Sequence, residues 1–278
     1  ARAFAPFLQQ QLGQPLTIIN RGGAGALLGH TFFLQQPDDG YTILCTSAAP
    51  YLPLNILTQD ASFKLEDFYM VNLPSQDYTL MATSAGSDVK SVEDFISRLK
   101  ADPGSLSVGL QPASADLVNF NILCSANEID ANAVRVVTYD GGGPARNAVA
   151  GGVVDVGFVG GEGFLPLAEQ IRPLLTFDSR KRDNWEGAIV TDVLGADADF
   201  VVGSQRGWGL HGSMQSSNPE VFKTLVSAIE AASKDPAAIE ALKNQQLATD
   251  WYGPDESNKM LARTSKVMEQ YIDLLKGN

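Results

Sequence analysis

An α/β fold of two lobes is predicted, each lobe a mainly parallel sheet flanked by helices, and three observations predict it. Helix-like and strand-like runs alternate from the first residues, the pattern of a parallel sheet with crossover helices. The middle of the chain repeats that rhythm with its own supply of strands. No Pro/Gly/Ser-rich connector divides the 278 residues at one point, so two lobes joined by more than one crossing fit better than two separate beads. Apolar residues make up 44% of the chain, enough for two cores.

Taken in order, "ARAFAPFLQQQLGQ" has helical spacing with a glycine stop at Gly13, and "PLTIIN" is a short β-branched run that reads as a strand. After the loop "NRGGAGA", "ALLGHTFFLQQ" is helical, "PDDG" is a turn and "YTILCTSAA" is a strand with a small, polar end. Ser91 is placed to cap "VEDFISRLKA", and "LSVGL" follows as a strand. Ser114 is placed to cap "ADLVNFNILCSAN", and "VRVVTY" is a strand. "GGGPARNAVAGG" is a short helix with Pro144 at its first position and Gly151 past its end. "VVDVGFV" and "PLLTF" supply further strands. The last third is helical: Asn218 and Asp235 each precede a proline at a helix start, and an amphipathic helix is expected from about Glu256 to Leu275. Between them "ATDWYG" reads as one edge strand.

Composition removes several functional classes. Twenty lysines and arginines face 32 acids, a net charge of −12, with no basic runs interleaved with aromatics, so nucleic acid is not an expected partner. No stretch approaches the roughly 20 apolar residues that span a bilayer. A soluble protein, or the mature form of one, is expected. The cluster "DSRKRD", Asp178 to Asp183, is read as a solvated loop. Cys45 and Cys124 are read as buried free thiols, with a disulfide left open in an oxidising compartment. His30 and His211 have no metal-ligand spacing, so no metal and no cofactor are expected.

The glycines of "INRGGAGALLGH" invite a nucleotide reading, since Gly23, Gly25 and Gly29 come close to a dinucleotide fingerprint. That reading lacks its second support, because the following strand ends in Cys45, Thr46 and Ser47 instead of an acid for the ribose hydroxyls. No phosphate loop with a lysine and no nucleophile elbow occurs. What remains are four strand ends that run into helix starts: Asn20–Ala26, Thr46–Ala49, Pro112–Leu117 and Thr138–Arg146. Such ends offer unpaired N–H groups and a partial positive charge to a carboxylate or phosphate. Arg21, Arg146 and Arg206 are candidate cations. The alternative is that the glycines only permit the tight turns an α/β sheet needs.

"LGQPLTIINRGGAGALLG", "PDDGYTIL", "TYDGGGPARNAVAGGVVDVGF" and "DFVVGSQRGWGL" together resemble the solute-binding receptors of tripartite tricarboxylate transporters, the Bug-type periplasmic binding proteins, in order along nearly the whole chain. That resemblance implies a periplasmic, monomeric receptor of Venus-flytrap form. It would take a small di- or tricarboxylate, or an aromatic carboxylate, between its lobes for a membrane permease, and would not be an enzyme. By motif, Asn20, Arg21, Gly23, Ala24 and Gly25 of one lobe and Tyr139, Asp140, Gly141 and Gly142 of the other would flank the ligand. Ser47, Ala48 and Ser114 would add hydroxyl and backbone donors, with Arg206 as a cation. Residues 1–100 and 206–278 are expected in lobe one and 101–205 in lobe two. Trp208 is placed either near a crossing or in a lobe core.

The chain departs from the family pattern in two places. Members usually carry an extra strand and a glycine-rich turn ahead of the residues matched here by Ala1 and Arg2, so lobe one is expected to lack its usual first strand. In "GLQPASADL", Asp116 and Leu117 stand where a histidine often follows the serine. If Asp116, or Glu162 of "GGEGF", faced the ligand, a partner cation or hydroxyl on the ligand would be required. A ligand-sensing module and an enzyme of similar two-lobed form are the rival classes.

Overall fold

The computed structural model describes residues 1–275 apart from Ala113, Val202 and Gln246. The chain forms two compact units, one of Ala1–Gln76 and Ser204–Glu269, the other of Asp77–Gly203 and the stretch from Gln270. In chain order, the first unit opens with α1 (Ala5–Leu12), α2 (Leu27–Leu34), β1 (Leu44–Ser47), α3 (Ala48–Thr58) and β2 (Phe68–Gln76). The second unit holds β3 (Thr79–Ser84), α4 (Val92–Ala101), β4 (Ser107–Leu110), α5 (Ala115–Ala126) and β5 (Arg135–Thr138). It continues through α6 (Gly142–Ala150), β6 (Val156–Gly160), β7 (Ile171–Thr176), β8 (Ala188–Ile189) and α7 (Val190–Leu194). The chain then returns to the first unit with β9 (Gln205–His211), α8 (Met214–Ser217), α9 (Pro219–Lys234), α10 (Pro236–Lys243) and α11 (Gly253–Gln270), and ends in the second with α12 (Ile272–Leu275).

The first unit's sheet has the order β1-β9-β2 with both pairings antiparallel, which corrects the expectation of a mainly parallel sheet there. Strand, helix and strand do follow one another as β1, α3 and β2, and the two strands run the same way. The slot between them is filled by β9, arriving from more than a hundred residues later in the opposite direction. The second unit's sheet, β5-β4-β6-β3-β7-β8, is mixed: β4 lies parallel to β5 and β6, while β3 runs against β6 and β7. Those β3 pairings carry residues 77–100 into the second unit, so the first unit ends at Gln76 and not near residue 100.

Side chains alternate across each sheet and both faces are covered. On β3, Met81 packs with Phe95, Phe120, Phe158 and Phe177 on one face, while Leu80 and Ala82 pack with Val149, Val159 and Phe164 on the other. In the first unit Val71, Trp208 and Leu210 join Phe4, Leu8 and Ile229, and Phe68, Met70 and Leu73 join Phe33, Leu52 and Phe63. Trp208 lies 4.9 Å from the Phe4 ring, tilted by 33°, and is a core residue. Burying each such large side chain is worth about 1.5–3 kcal/mol before chain entropy is set against it.

Two expected strands do not form. "PLTIIN" finds no ladder partner among the described residues; Leu16 packs on the core and Ile19 stays 61% exposed. "ATDWYG" fails because the open edge of β2 is satisfied by side chains instead. Asn258 and Ser257 of α11 bond the backbone of Met70 and Leu73, and the buried Asn72 side chain takes the N–H groups of Tyr252 and Gly253.

Ser91, Ser114 and Asp235 cap their helices as expected, and Gly13 closes α1 at φ 64°. Asn218 occupies the cap position of α9 without capping it, because its amide reaches the Asp38 carbonyl at 3.0 Å. Pro144 stands third in α6, since the helix already begins at Gly142. The C-terminal helix breaks at Tyr271 into α11 and α12, near the change of unit at Gln270. Cys45 is exposed, on the outward side of β1, whereas Cys124 is buried and its thiol pushed up to about 12 by desolvation. "DSRKRD" is only partly solvated: Asp178 is buried, accepts from Arg182 Nε at 2.7 Å, and Arg182 lies over the Tyr78 ring.

Candidate functional site

In the first unit the glycine loop turns left-handed before α2. Gly23, Ala24, Gly25 and Ala26 have φ of 123°, 47°, 56° and 68°. Left-handed backbone costs a residue with a Cβ roughly 1–2 kcal/mol, so Ala24 and Ala26 are strained. Asn20, Arg21, Gly23, Ala24 and Gly25 are exposed, and the turn leads straight into α2 through Leu27 N–H to the Ala24 carbonyl at 3.1 Å. Gly29 allows the loop to lie on that helix, since a Cβ there would sit 2.6 Å from the Arg21 carbonyl oxygen. The Arg21 guanidinium rests 4.4 Å from the Phe32 ring centre, a cation–π contact with its own helix.

The start of α3 offers fewer amides than a regular helix end. Ala49 is extended at φ −107°, ψ 140°, and Pro50 has no N–H. Ser47 is half-buried, its Oγ 3.3 Å from the Ala49 carbonyl, and Ala48 is buried. In the β1–β9 register Ser47 stands opposite Arg206, whose Nη1 donates to Ser75 Oγ at 3.2 Å. The fold thus gathers Ser47, Arg206 and Ser75 at one end of this sheet.

The second unit brings together a different group. Ser114 Oγ accepts from Leu117 N at 3.2 Å and donates to the Gln111 carbonyl at 2.7 Å, so its hydroxyl is spent on the α5 cap and its own loop. Ala113, in the same loop, lies outside the described residues. Tyr139 bonds its N–H to the Leu110 carbonyl and packs its ring with the Leu80–Phe164 core, while Asp140 is exposed. Gly141 opens α6 at φ 118°, a conformation that favours glycine, and Gly142 follows as the first helical residue.

Arg146, a candidate cation that the motif-based ligand set leaves out, sits at the junction of these loops. Its Nη1 donates to the Gly160 carbonyl at 3.2 Å. A Cβ on Gly163 would lie 2.2 Å from its guanidinium carbon, and one on Gly142 would lie 2.7 Å from Nη1. Glycines at both positions make the room the guanidinium occupies, a signal present in "GGGPAR" and "GGEGF" but readable only once the two are adjacent.

Asp116 is turned inward, with Oδ1 accepting from the Thr79 hydroxyl at 2.7 Å. Desolvation pushes its carboxyl up to about 7; the Thr79 bond and Arg146 oppose that rise, and Asp77 adds to it. Asn119 donates to Thr79 Oγ1 and exchanges two bonds with Val201, tying α5 to both. Glu162 is half-buried, and its N–H donates to Asp77 Oδ1 at 3.1 Å. A separate hollow of about 530 Å³ beside Lys90 and Arg172 is not part of this group, and Arg172 is committed to the carbonyls of Ala85, Ser87 and Val89. Among the described residues no cluster of three or more His, Cys, Asp or Glu side chains is placed to hold a metal ion.

Two α/β units, one on a three-stranded antiparallel sheet and one on a mixed six-stranded sheet, give the chain the fold of two-lobed periplasmic solute-binding proteins. Residues 1–276 match the family model of the tripartite tricarboxylate transporter family receptor, TctC, and the chain belongs to that family. Protein BugT of Bordetella pertussis is 26% identical over 269 residues, 94% of this chain and 80% of BugT. The fold is shared with a TctC solute-binding protein from Polaromonas at a TM-score of 0.78 and 18% identity, over 100% of this chain and 92% of that one. It is shared also with MatC from Rhodopseudomonas palustris, solved with bound malate, at a TM-score of 0.71 and 18% identity over 99% and 92%.

Proposed function

We propose that this chain is an extracytoplasmic receptor that captures a small organic acid, a di- or tricarboxylate or an aromatic carboxylate, and hands it unchanged to the permease of a tripartite tricarboxylate transporter. The observation that carries the reading is Arg146, a guanidinium seated among the glycines of two loops, against the first residue of α6 and near enough to interact with Asp116 of α5. A cation held by its neighbours next to helix N-termini is preorganised for a carboxylate without reorganisation on binding. The first unit adds the Gly23–Gly25 backbone, Ser47 and Arg206. With a net charge of −12 on the chain, attraction for an acid has to be local. Membership of the receptor family and the malate held by MatC favour the same class of ligand. On this reading the protein works as a monomer in the periplasm and performs no turnover.

A melting screen over mono-, di- and tricarboxylates, aromatic acids, amino acids and nucleotides tests it. One class of acid is expected to raise the melting temperature, and to be recovered chemically unchanged after incubation. A shift with nucleotides alone, or conversion of the acid, would overturn the reading.

A further inference from the structure

His30 and Asn55 belong to neither donor group, yet they join two parts of the first one. Asn55, fully buried in α3, donates through Nδ2 to the Gly25 carbonyl at 2.9 Å and to Gln59 Oε1 at 3.0 Å. With its amide protons committed, Asn55 Oδ1 must be the acceptor in its 2.7 Å contact with His30 Nδ1. Nδ1 therefore carries the imidazole proton, and Nε2 accepts from the Thr46 hydroxyl at 2.9 Å. Burial holds the imidazole below its ordinary pKa and so in this neutral form. One chain of hydrogen bonds thus runs from Gly25 through Asn55 and His30 to Thr46, the residue before Ser47.

The anchored carbonyl lies between Ala24 and Ala26, the two strained residues of the left-handed turn. A turn held in a sparsely populated conformation relaxes when its anchor is removed. We propose that Asn55 and His30 are positioning residues that hold the Gly23–Ala26 turn and the Thr46–Ser47 backbone at a fixed spacing for the incoming acid. The acid's part in this rests on the function proposed above; the anchoring of the turn does not.

Two pairs of measurements separate those claims. Asn55→Asp keeps an acceptor for His30 but loses the donor to Gly25. In the ligand-free protein, 15N order parameters of Gly23 and Gly25 are expected to fall from about 0.8 to below about 0.6. Thr46→Val removes the hydroxyl without changing shape, and Thr46→Ser restores it. In titrations with malate, citrate and benzoate, Thr46→Val is expected to bind about tenfold more weakly than the wild type, and Thr46→Ser within about twofold of it. If the wild type binds none of the three acids while Asn55→Asp frees the turn, the anchoring stands and the acid reading fails. An equally rigid turn in Asn55→Asp, or equal affinities for the wild type and Thr46→Val, would overturn the proposal.

Discussion

The Thr79 hydroxyl donates to the Asp116 carboxylate across 2.7 Å in the interior of the second unit, joining β3 to the first turn of α5. Desolvation raises that carboxyl to about 7, so the folded state holds its proton from about pH 4 to 7 while the unfolded chain has released it. Stability contributed by this group is present below pH 4 and is lost as pH rises toward 7. Asp116→Asn keeps an acceptor for Thr79 and cannot ionise. It is expected to raise stability by about 1–2 kcal/mol at pH 8 and to change it little at pH 4, read from urea unfolding at both. Because Asp116 and Arg146 interact, the variant should also bind an acid more tightly than the wild type at pH 8, by calorimetric titration.

The histidines carry the opposite sign. His30 and His211 are buried and both are held below the ordinary 6.5, chiefly by desolvation. Their contribution is full above pH 6.5 and is lost as pH falls through that value, where the unfolded chain takes up protons first. His211 stacks 4.2 Å from Phe33, and its Nε2 has no hydrogen-bond partner among the described residues. Replacing it by Gln should flatten the slope of melting temperature against pH between 6.5 and 5.

Gly29→Ala should loosen the first donor group from beneath. The added methyl would meet the Arg21 carbonyl, which is backbone and cannot rotate away. A loss of about 1–3 kcal/mol in urea unfolding is expected. A parallel Gly13→Ala change meets no atom within 4 Å and should show only the smaller cost of its left-handed backbone.

The arginines should rank differently in acid binding. Arg146 is wedged among glycines, and Arg146→Met is expected to weaken the acid that melts highest by at least about 30-fold. Exposed Arg206, screened by solvent, should cost about fivefold as Arg206→Gln. Isothermal titration of both variants checks the order, and equal losses would contradict it.

Local chemistry was the readable part. Ser91, Ser114 and Asp235 announce their helices because a cap acts within three residues, and β4, β5 and β6 read as strands because their apolar runs lie between clear stops. The local pattern predicts no strand at β2, β3, β8 or β9. Pro74 interrupts "FYMVNLPSQ", and β9 carries Gly207 and Gly209 where a strand usually has side chains. Only the pairing explains the first of those glycines: a Cβ on Gly207 would lie 1.9 Å from the Asn72 carbonyl oxygen, at an irregularity in β2. Three arginines looked alike in the sequence. The fold stacks Arg21 on Phe32, seats Arg146 among glycines and sets Arg206 opposite Ser47.

The sequence by itself determined the α/β class, the caps at Ser91, Ser114 and Asp235, and the family, because each is written in residues close together or in motifs kept in order. Tertiary structure alone decided that β9 enters between β1 and β2, that Asp116 is buried against Thr79, and that Asn55 grips the Gly25 carbonyl from 30 residues away. Those outcomes depend on which distant groups must share buried space and satisfy one another's hydrogen bonds, a condition that no local pattern records.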